Sequence, residues 1–326
     1  MSLLEVASLS MRFPVRSGTL GRTRGEVHAL DDVSLTIDAG TTLGVVGESG
    51  CGKSTLARCI AGLADPTDGE VRFDGTPLGD FDRAGRRRFQ REVQTVFQDP
   101  AASLNPRRRI GDSIAAPLVV HGIGTTRERR QRVLTMLERV GLSGSDADRY
   151  PGEFSGGQQQ RVGIARALVL EPRLLIADEP VSALDVSVQA QILNLLAGLQ
   201  RELGLALLFI GHDLGVIRQV SDRVVVMYLG KVVEQAVAAT LFSSPRHPYT
   251  GTLLSSAPIP NPAANRRRAR LLVEGELPSP VSPPPGCSFH PRCPHATEIC
   301  ATTEPPLEPY ASGQLAACHH PLDGTA

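Results

Sequence analysis

The sequence predicts an α/β fold, and three observations carry that prediction. From the N-terminus to about Pro245, short and nearly unbroken apolar runs alternate with amphipathic helical stretches, the pattern of a parallel sheet covered by helices. One run, Leu43–Val46, opens straight into a glycine-rich turn and then a helical stretch with Leu56, Ile60 and Leu63 on one face. Another, Leu174–Ala177, ends in the adjacent acids Asp178 and Glu179.

The elements follow in order. Leu43–Val46, Leu174–Ala177, Leu205–Ile210 and Val224–Met227 read as strands buried on both faces, because they are continuous rather than alternating. Between Pro100 and Pro151 the texture changes. Val133, Leu137 and Val140 recur at helical spacing and no strand-like run appears, so residues from about 100 to 160 read as an inserted helical subdomain. After Pro245 come Pro258, Pro260, Pro262, the basic run Arg266 to Arg268, then Pro278, Pro280 and Pro283 to Pro285, the composition of a linker. The segment Gly286 to Ala326 is too short and polar to build a core unaided, so its cysteines are expected to hold it. The chain thus divides into residues 1–245 and a small cysteine-containing extension, 246–326.

Composition narrows the partners. Lys plus Arg (34) balance Asp plus Glu (34), so no global field points to nucleic acid or an anionic membrane. Tryptophan is absent and aromatics make up only 4%, which argues against a base-stacking surface and against a nucleic-acid partner. No apolar run approaches the roughly 20 residues of a membrane span. The N-terminus has no basic head, long apolar stretch or small-residue cleavage site. The expectation is a soluble, cytoplasmic protein, free to dock on a membrane protein. In a reducing compartment, the late cysteines Cys287, Cys293, Cys300 and Cys318 suggest metal binding before disulfides. Cys51 and Cys59 read as packing residues.

Gly47-Glu48-Ser49-Gly50-Cys51-Gly52-Lys53-Ser54 fits the phosphate-loop pattern G-x-x-x-x-G-K-[ST], with the strand before it and the helix after it that the pattern requires. Gly47, Gly50 and Gly52 let the backbone turn tightly. The N–H groups from Gly47 through Ser49 and Cys51 to Thr55 can then point at phosphates, aided by the positive end of the helix. Lys53 would reach the β- and γ-phosphates, and the Ser54 hydroxyl would complete a Mg²⁺ shell. Asp178, at a strand end, would hold the same Mg²⁺ shell. Glu179 would orient and polarise an attacking water, since phosphoryl transfer needs a metal clamp and a positioned nucleophile rather than covalent chemistry. Gln98 and His212 each stand beyond the end of an apolar segment, spaced as γ-phosphate contacts should be.

Phe154-Ser155-Gly156-Gly157-Gln158-Gln159-Gln160-Arg161 resembles the signature sequence of ATP-binding cassette (ABC) ATPases and sits just before Leu174–Glu179, where that family keeps it. Ser155, Gly156, Gly157 and Gln158 open a helix and offer an anion-binding start. The resemblance implies a P-loop NTPase (RecA-like) core with an antiparallel β portion and a helical insert. It also implies a head-to-tail dimer in which this helix start meets the γ-phosphate held by the opposite subunit. Gln98 matches the Q-loop glutamine, which touches Mg²⁺. His212 matches the switch histidine and Asp185, in Ser182-Ala183-Leu184-Asp185, the D-loop. Phe13 is a candidate for the ring that stacks on adenine; an ordinary strand residue is the other reading. Phe154 stands where leucine is commoner, which leaves the anion-binding groups untouched.

Phe97-Gln98-Asp99-Pro100, Ser103-Leu104-Asn105-Pro106-Arg107, His247-Pro248-Tyr249-Thr250 and Cys287-Ser288-Phe289-His290-Pro291-Arg292-Cys293 look like the oligopeptide and dipeptide importer branch of that family. The implied protein is an ATPase working with Mg²⁺ at the cytoplasmic face of a membrane. Its implied partners are a second ATPase subunit, a transmembrane permease and, indirectly, an extracytoplasmic solute-binding protein. Nickel or other small-solute import is the alternative within the branch. A non-transport ABC ATPase is disfavoured because no sustained heptads separate loop and signature and because the chain holds one cassette. The cysteine spacing C-x5-C-x6-C-x17-C lacks the close pair usual for structural zinc. It suits an iron–sulfur cubane at least as well, and some members of the branch hold a [4Fe–4S] cluster at equivalent cysteines. Zinc, with His295, His319 or His320 as rival ligands, and free thiols stay open.

Overall fold

The computed structural model describes residues 2–17, 22–256, 277–310 and 313–323. In chain order the strands are β1 (Ser2–Ser17), β2 (Arg22–Asp38), β3 (Thr42–Val46), β4 (Asp68–Phe73), β5 (Thr76–Pro77), β6 (Val93–Val96), β7 (Leu174–Asp178), β8 (Ala206–Gly211), β9 (Arg223–Tyr228), β10 (Lys231–Val237), β11 (Glu308–Pro309) and β12 (Leu315–Ala316). The helices are α1 (Lys53–Ile60), α2 (Arg83–Glu92), α3 (Pro100–Ser103), α4 (Ile110–Val120), α5 (Thr126–Arg139), α6 (Gly156–Leu168), α7 (Val186–Leu203), α8 (Leu214–Val220), α9 (Ala238–Ser243) and α10 (Pro248–Ser256), with a short helix at Glu298–Thr302. The expected linker residues Pro258, Pro260, Pro262 and Arg266 to Arg268 lie outside the described residues. The elements fall into two compact units. The first is Met1–Leu4, Ile37–Thr42 and Arg72–Ile210; the second is Glu5–Thr36, Leu43–Val71 and Gly211–Ala326.

In the first unit β6, β7 and β8 are parallel, in registers that run Val93↔Leu174 to Val96↔Ala177 and Leu174↔Ala206 to Asp178↔Ile210. Leu174 to Ala177 and Ala206 to Ile210 are all buried, as continuous apolar strands covered on both faces must be. β6, Val93-Gln94-Thr95-Val96, is too short and half-polar to announce itself. α3 and α4 pack on α6, and α5 packs on both α4 and α6, so the helical region holds together around α6. α5 begins with a capping box between Thr125 and Glu128 and buries Val133, Met136 and Leu137 on one face.

In the second unit β3 runs parallel to β9, Leu43↔Arg223 to Val46↔Val226. β10 lies antiparallel to β9, with a bulge between Val232 and Glu234. β12 pairs antiparallel with β10 and β11 with β12, so the extension adds strands to the edge at β10. β2, β1 and β4 are neighbours in a separate sheet. Glu234, with 0% exposure, receives the N–H groups of Arg246 (2.8 Å) and His247 (2.9 Å) and the amide of Gln314. Burial pushes its carboxyl up from the usual range. The extension is therefore held by strand pairing, by this carboxylate and by the rings of Tyr228, Tyr249 and Phe289, besides whatever its cysteines contribute. No helix among the described residues is long and apolar enough to cross a membrane.

Candidate active site

The glycine-rich turn sits in the second unit, between the end of β3 and the start of α1. At Gly47 a Cβ would come within 2.2 Å of the Met227 carbonyl oxygen and 2.7 Å of Cys51 Sγ, so only glycine fits. Gly52 has φ +103° and faces the Ala29 carbonyl oxygen at 2.2 Å from a would-be Cβ, which excludes a side chain twice over. Gly52 is also the N-cap of α1 and brings no side chain to cap the helix. The first N–H groups of α1 therefore open onto the turn, as an anion cradle requires. Ser49 and Gly50 are exposed at the tip, Ser54 is exposed on the first turn of α1, and Thr55 is half-buried.

Lys53 is 5% exposed, and its ammonium lies inside the turn. It donates to the carbonyl oxygens of Gly47 (2.8 Å) and Glu48 (2.9 Å) and lies 3.7 Å from Cys51 Sγ. A cation held by backbone carbonyl dipoles at the start of a helix is suited to receive a phosphate. Cys51 and Cys59 are buried, as packing residues are, and burial raises both thiols, Cys59 to about 11. Phe13 stands on β1 with 42% exposure, available to a flat ligand.

The acidic residues belong to the first unit. Asp178 closes β7 opposite Ile210, and Glu179 follows it with φ +47°, a left-handed conformation rare outside glycine. The Glu179 N–H donates to Ile210 O at 3.0 Å, which fixes the backbone in that strained state. Gln98, just beyond β6, donates from Nε2 to Glu179 Oε2 at 2.9 Å and to Ser182 Oγ at 3.5 Å. The structure thus joins Gln98 to Glu179, two residues singled out separately in the sequence. His212 is exposed one residue beyond β8, just before Asp213, which caps α8.

Ser155 is the N-cap of α6. Its hydroxyl accepts from the Gln158 N–H (3.4 Å) while Gln158 Oε1 accepts from the Ser155 N–H (3.0 Å). The expected outward serine is thus also a structural cap, with its own hydroxyl proton still to give. Ser155 and Gly156 are exposed; Gly157 is buried, because its Cβ would meet Val188 Cγ1 at 2.4 Å. Asp185, the exposed N-cap residue of α7, makes no side-chain capping bond, and Val186 beside it is 82% exposed. An aspartate and a valine presented together to solvent suit a protein interface.

Cys287, Cys293, Cys300 and Cys318 line one small cavity, about 10 Å³, with His295, His319 and His320 among its other walls. Burial pushes the thiols of Cys287, Cys293 and Cys318 up, the last to about 12. Donor chemistry there suits a soft metal. The arrangement does not: among the described residues no three His, Cys, Asp or Glu side chains form a group that could hold a metal ion. The sequence reading overlooked Glu48, Tyr228, Tyr249 and Arg292. Arg292 donates to both carboxylate oxygens of Glu48 (2.9 and 3.2 Å), and the Glu48 N–H donates to Tyr249 Oη (2.9 Å). Tyr249 and Arg292 lie in the two quoted tail motifs, which was the available signal.

Comparison with known proteins follows the same two segments. The ABC transporter family model matches residues 30–182, and the model of the oligopeptide/dipeptide transporter C-terminal region matches residues 233–300. The oligopeptide transport ATP-binding protein AppF of Bacillus subtilis is 50% identical over 98% of this chain and 97% of its own length. The oligopeptide transport ATP-binding protein OppF of Escherichia coli is 52% identical over 94% of this chain and 92% of its own. Among solved structures, the ATP-binding cassette MJ0796, as a dimer in a post-hydrolysis state with ADP and phosphate, superposes with a TM-score of 0.63 at 32% identity. That match covers 72% of this chain and 98% of the cassette.

Proposed function

We propose a working cycle that starts from one premise: the chain belongs to the ATP-binding subunits of ABC transporters, in the branch that imports oligopeptides and dipeptides. It is an ATPase that energises peptide import and works as a dimer with transmembrane permease subunits. Peptide import fits these relatives better than nickel or another small solute.

In our reading, MgATP enters the turn from Gly47 to Thr55 and draws the Lys53 ammonium from its carbonyl partners onto the β- and γ-phosphates. Ser54, Asp178 and Gln98 are the residues whose side-chain oxygens would hold Mg²⁺, which would supply charge neutralisation for the phosphates. Phe13 stacks on the adenine. Ser155, Gly156, Gly157 and Gln158 receive the γ-phosphate held by a second subunit, and Asp185 joins the two composite sites. Glu179 orients the attacking water while His212 and Gln98 report on the γ-phosphate. Because ATP bridges two subunits only when they close, its binding energy differs between open and closed states, as a switch requires. Residues 1–245 form the nucleotide-binding domain, with its helical subdomain at about 100–160 facing the permease. Residues 246–326 form the peptide-importer extension. Val119 (55% exposed) and Val120 (71%), at the end of α4, supply apolar surface for that contact. The assembly lies on the cytoplasmic face of the membrane and serves an extracytoplasmic peptide-binding protein through the permease. For the extension, four thiols around one cavity favour an iron–sulfur cluster over zinc in donor chemistry, but the cavity is not arranged for either. No step of the cycle runs through it.

The observation that carries the cycle is the bond from Gln98 to Glu179, which ties the water-positioning acid to the entrance of the helical subdomain. The test is dipeptide uptake by proteoliposomes holding the chain, its permease and a peptide-loaded binding protein. Wild-type complex should take up dipeptide with ATP inside, and a Lys53→Ala complex should not. Equal uptake by both would end the proposal.

A further inference from the structure

We propose that Arg292, in the cysteine-containing extension, is a positioning residue for the phosphate loop and acts through the carboxylate of Glu48. This rests on the reading of Gly47 to Ser54 as the phosphate loop and assigns the extension a part in that same site.

Glu48 is a misplaced charge by ordinary rules. It is the first variable residue of a cradle whose N–H groups and lysine are arranged for anions, and a bare carboxylate there would repel phosphate. The structure supplies the remedy from far along the chain. Arg292 Nη1 donates to Glu48 Oε2 at 2.9 Å and Nη2 to Oε1 at 3.2 Å, a two-pronged guanidinium–carboxylate pair. Nη1 also donates to Tyr228 Oη at 3.3 Å. The arginine side chain is 10% exposed and the glutamate 29%, so solvent screens the pair only in part.

The other end of Glu48 is fixed too. Its N–H donates to Tyr249 Oη at 2.9 Å, and its carbonyl oxygen is one of the two that hold Lys53 Nζ. Displacing Glu48 therefore displaces an anchor of the lysine. Arg292 is itself placed by the turn Phe289–Cys293, closed by a bond from Arg292 N to Phe289 O at 3.0 Å. Phe289, 1% exposed, packs against Tyr228 and Tyr249 with ring centres 5.3 Å away in each case. The extension is thus bonded to the loop through both Arg292 and Tyr249, and of the two it is the arginine that neutralises the Glu48 carboxylate and orients it.

The experiment measures the Kd of a fluorescent MgATP analogue for the full-length chain. If losing the pair leaves about one loop in ten competent to bind, Arg292→Ala should raise Kd about tenfold. The KM for ATP should rise likewise, with kcat changed by less than about twofold, because the arginine prepares the loop and does not touch the reacting atoms. In a Glu48→Gln background, with no carboxylate to neutralise, adding Arg292→Ala should change Kd by less than about twofold. Arg292→Lys should recover part of the affinity through its charge. Lys53→Ala is the control for the phosphate-loop reading: if it binds as wild type, that reading fails and the brace with it. If Lys53→Ala abolishes binding while Arg292→Ala stays within twofold of wild type, the brace alone is overturned. An equal loss from Arg292→Ala in the wild-type and Glu48→Gln backgrounds also overturns it, since the arginine would then act by holding the extension folded.

Discussion

Glu179→Gln separates what this residue does for shape from what it does for chemistry. The residue stands in a left-handed conformation, φ +47°, and such a backbone costs a non-glycine residue on the order of 1–3 kcal/mol. That cost is met by the bond from its N–H to Ile210 O and by the Gln98 amide on Oε2. Glutamine preserves both anchors, because its amide oxygen can still accept from Gln98 and its backbone is unchanged. Only the negative charge disappears, and with it the orientation of a water whose hydrogens must point at the carboxylate. Removing one preorganised electrostatic contact at a developing charge costs about 3–4 kcal/mol, a factor of roughly 10² to 10³ in rate. We expect single-turnover hydrolysis to fall by at least about a hundredfold while ATP affinity stays near wild type. A dimer should then accumulate with ATP in gel filtration, since closure no longer ends in hydrolysis. Turnover within about tenfold of wild type would refute the reasoning and move the water-positioning role elsewhere.

Ser155→Arg should abolish ATP-driven dimerisation while monomer binding of nucleotide survives, since its main local loss is a helix cap worth about 1 kcal/mol; analytical ultracentrifugation with and without MgATP reads both. Glu234→Ala should destabilise the chain by about 3 kcal/mol or more in denaturant, because it leaves the buried donors of Arg246, His247 and Gln314 unmet. Burial raises the folded-state carboxyl of Glu234, so the native state holds its proton more tightly. Its contribution to stability is then full below about pH 4.5 and declines as pH rises through the folded value, a slope the alanine variant should lack. Anaerobically purified protein carrying a cubane would show iron and sulfide at about four each per chain. Zinc at about one per chain without sulfide, or titratable free thiols, would reject the cluster.

What could be read from the sequence was what local chemistry enforces. Gly47 and Gly52 announce themselves because a Cβ would strike the Met227 and Ala29 carbonyl oxygens, and a turn that tight admits no other residue. β7 and β8 were legible because strands covered on both faces must be unbrokenly apolar. β6 was not, since its four residues set two polar side chains between two valines and it gains its place only through register with β7. The capping role of Ser155 escaped for a different reason. The same Ser-x-x-Gln pattern serves a helix cap and an anion site, and spacing alone cannot separate the two uses.

The extension shows the limit most sharply. Its cysteines drew attention because thiols are rare and chemically loud, whereas the ion pair that ties it to the glycine-rich loop runs between an ordinary glutamate and an ordinary arginine 244 residues apart. Neither residue type implies the other at such a distance, because an ion pair needs only that the fold bring two ends of the chain together. The clue lay in the misfit. An acid inside an anion cradle lowers the affinity of the site unless something neutralises it, so Glu48 required a cation the motif does not contain. Lys53 cannot be that cation, for its ammonium is held by the Gly47 and Glu48 carbonyl oxygens and is the charge we assign to the phosphates. A counter-charge therefore had to come from outside the motif, and in this chain it comes from Arg292.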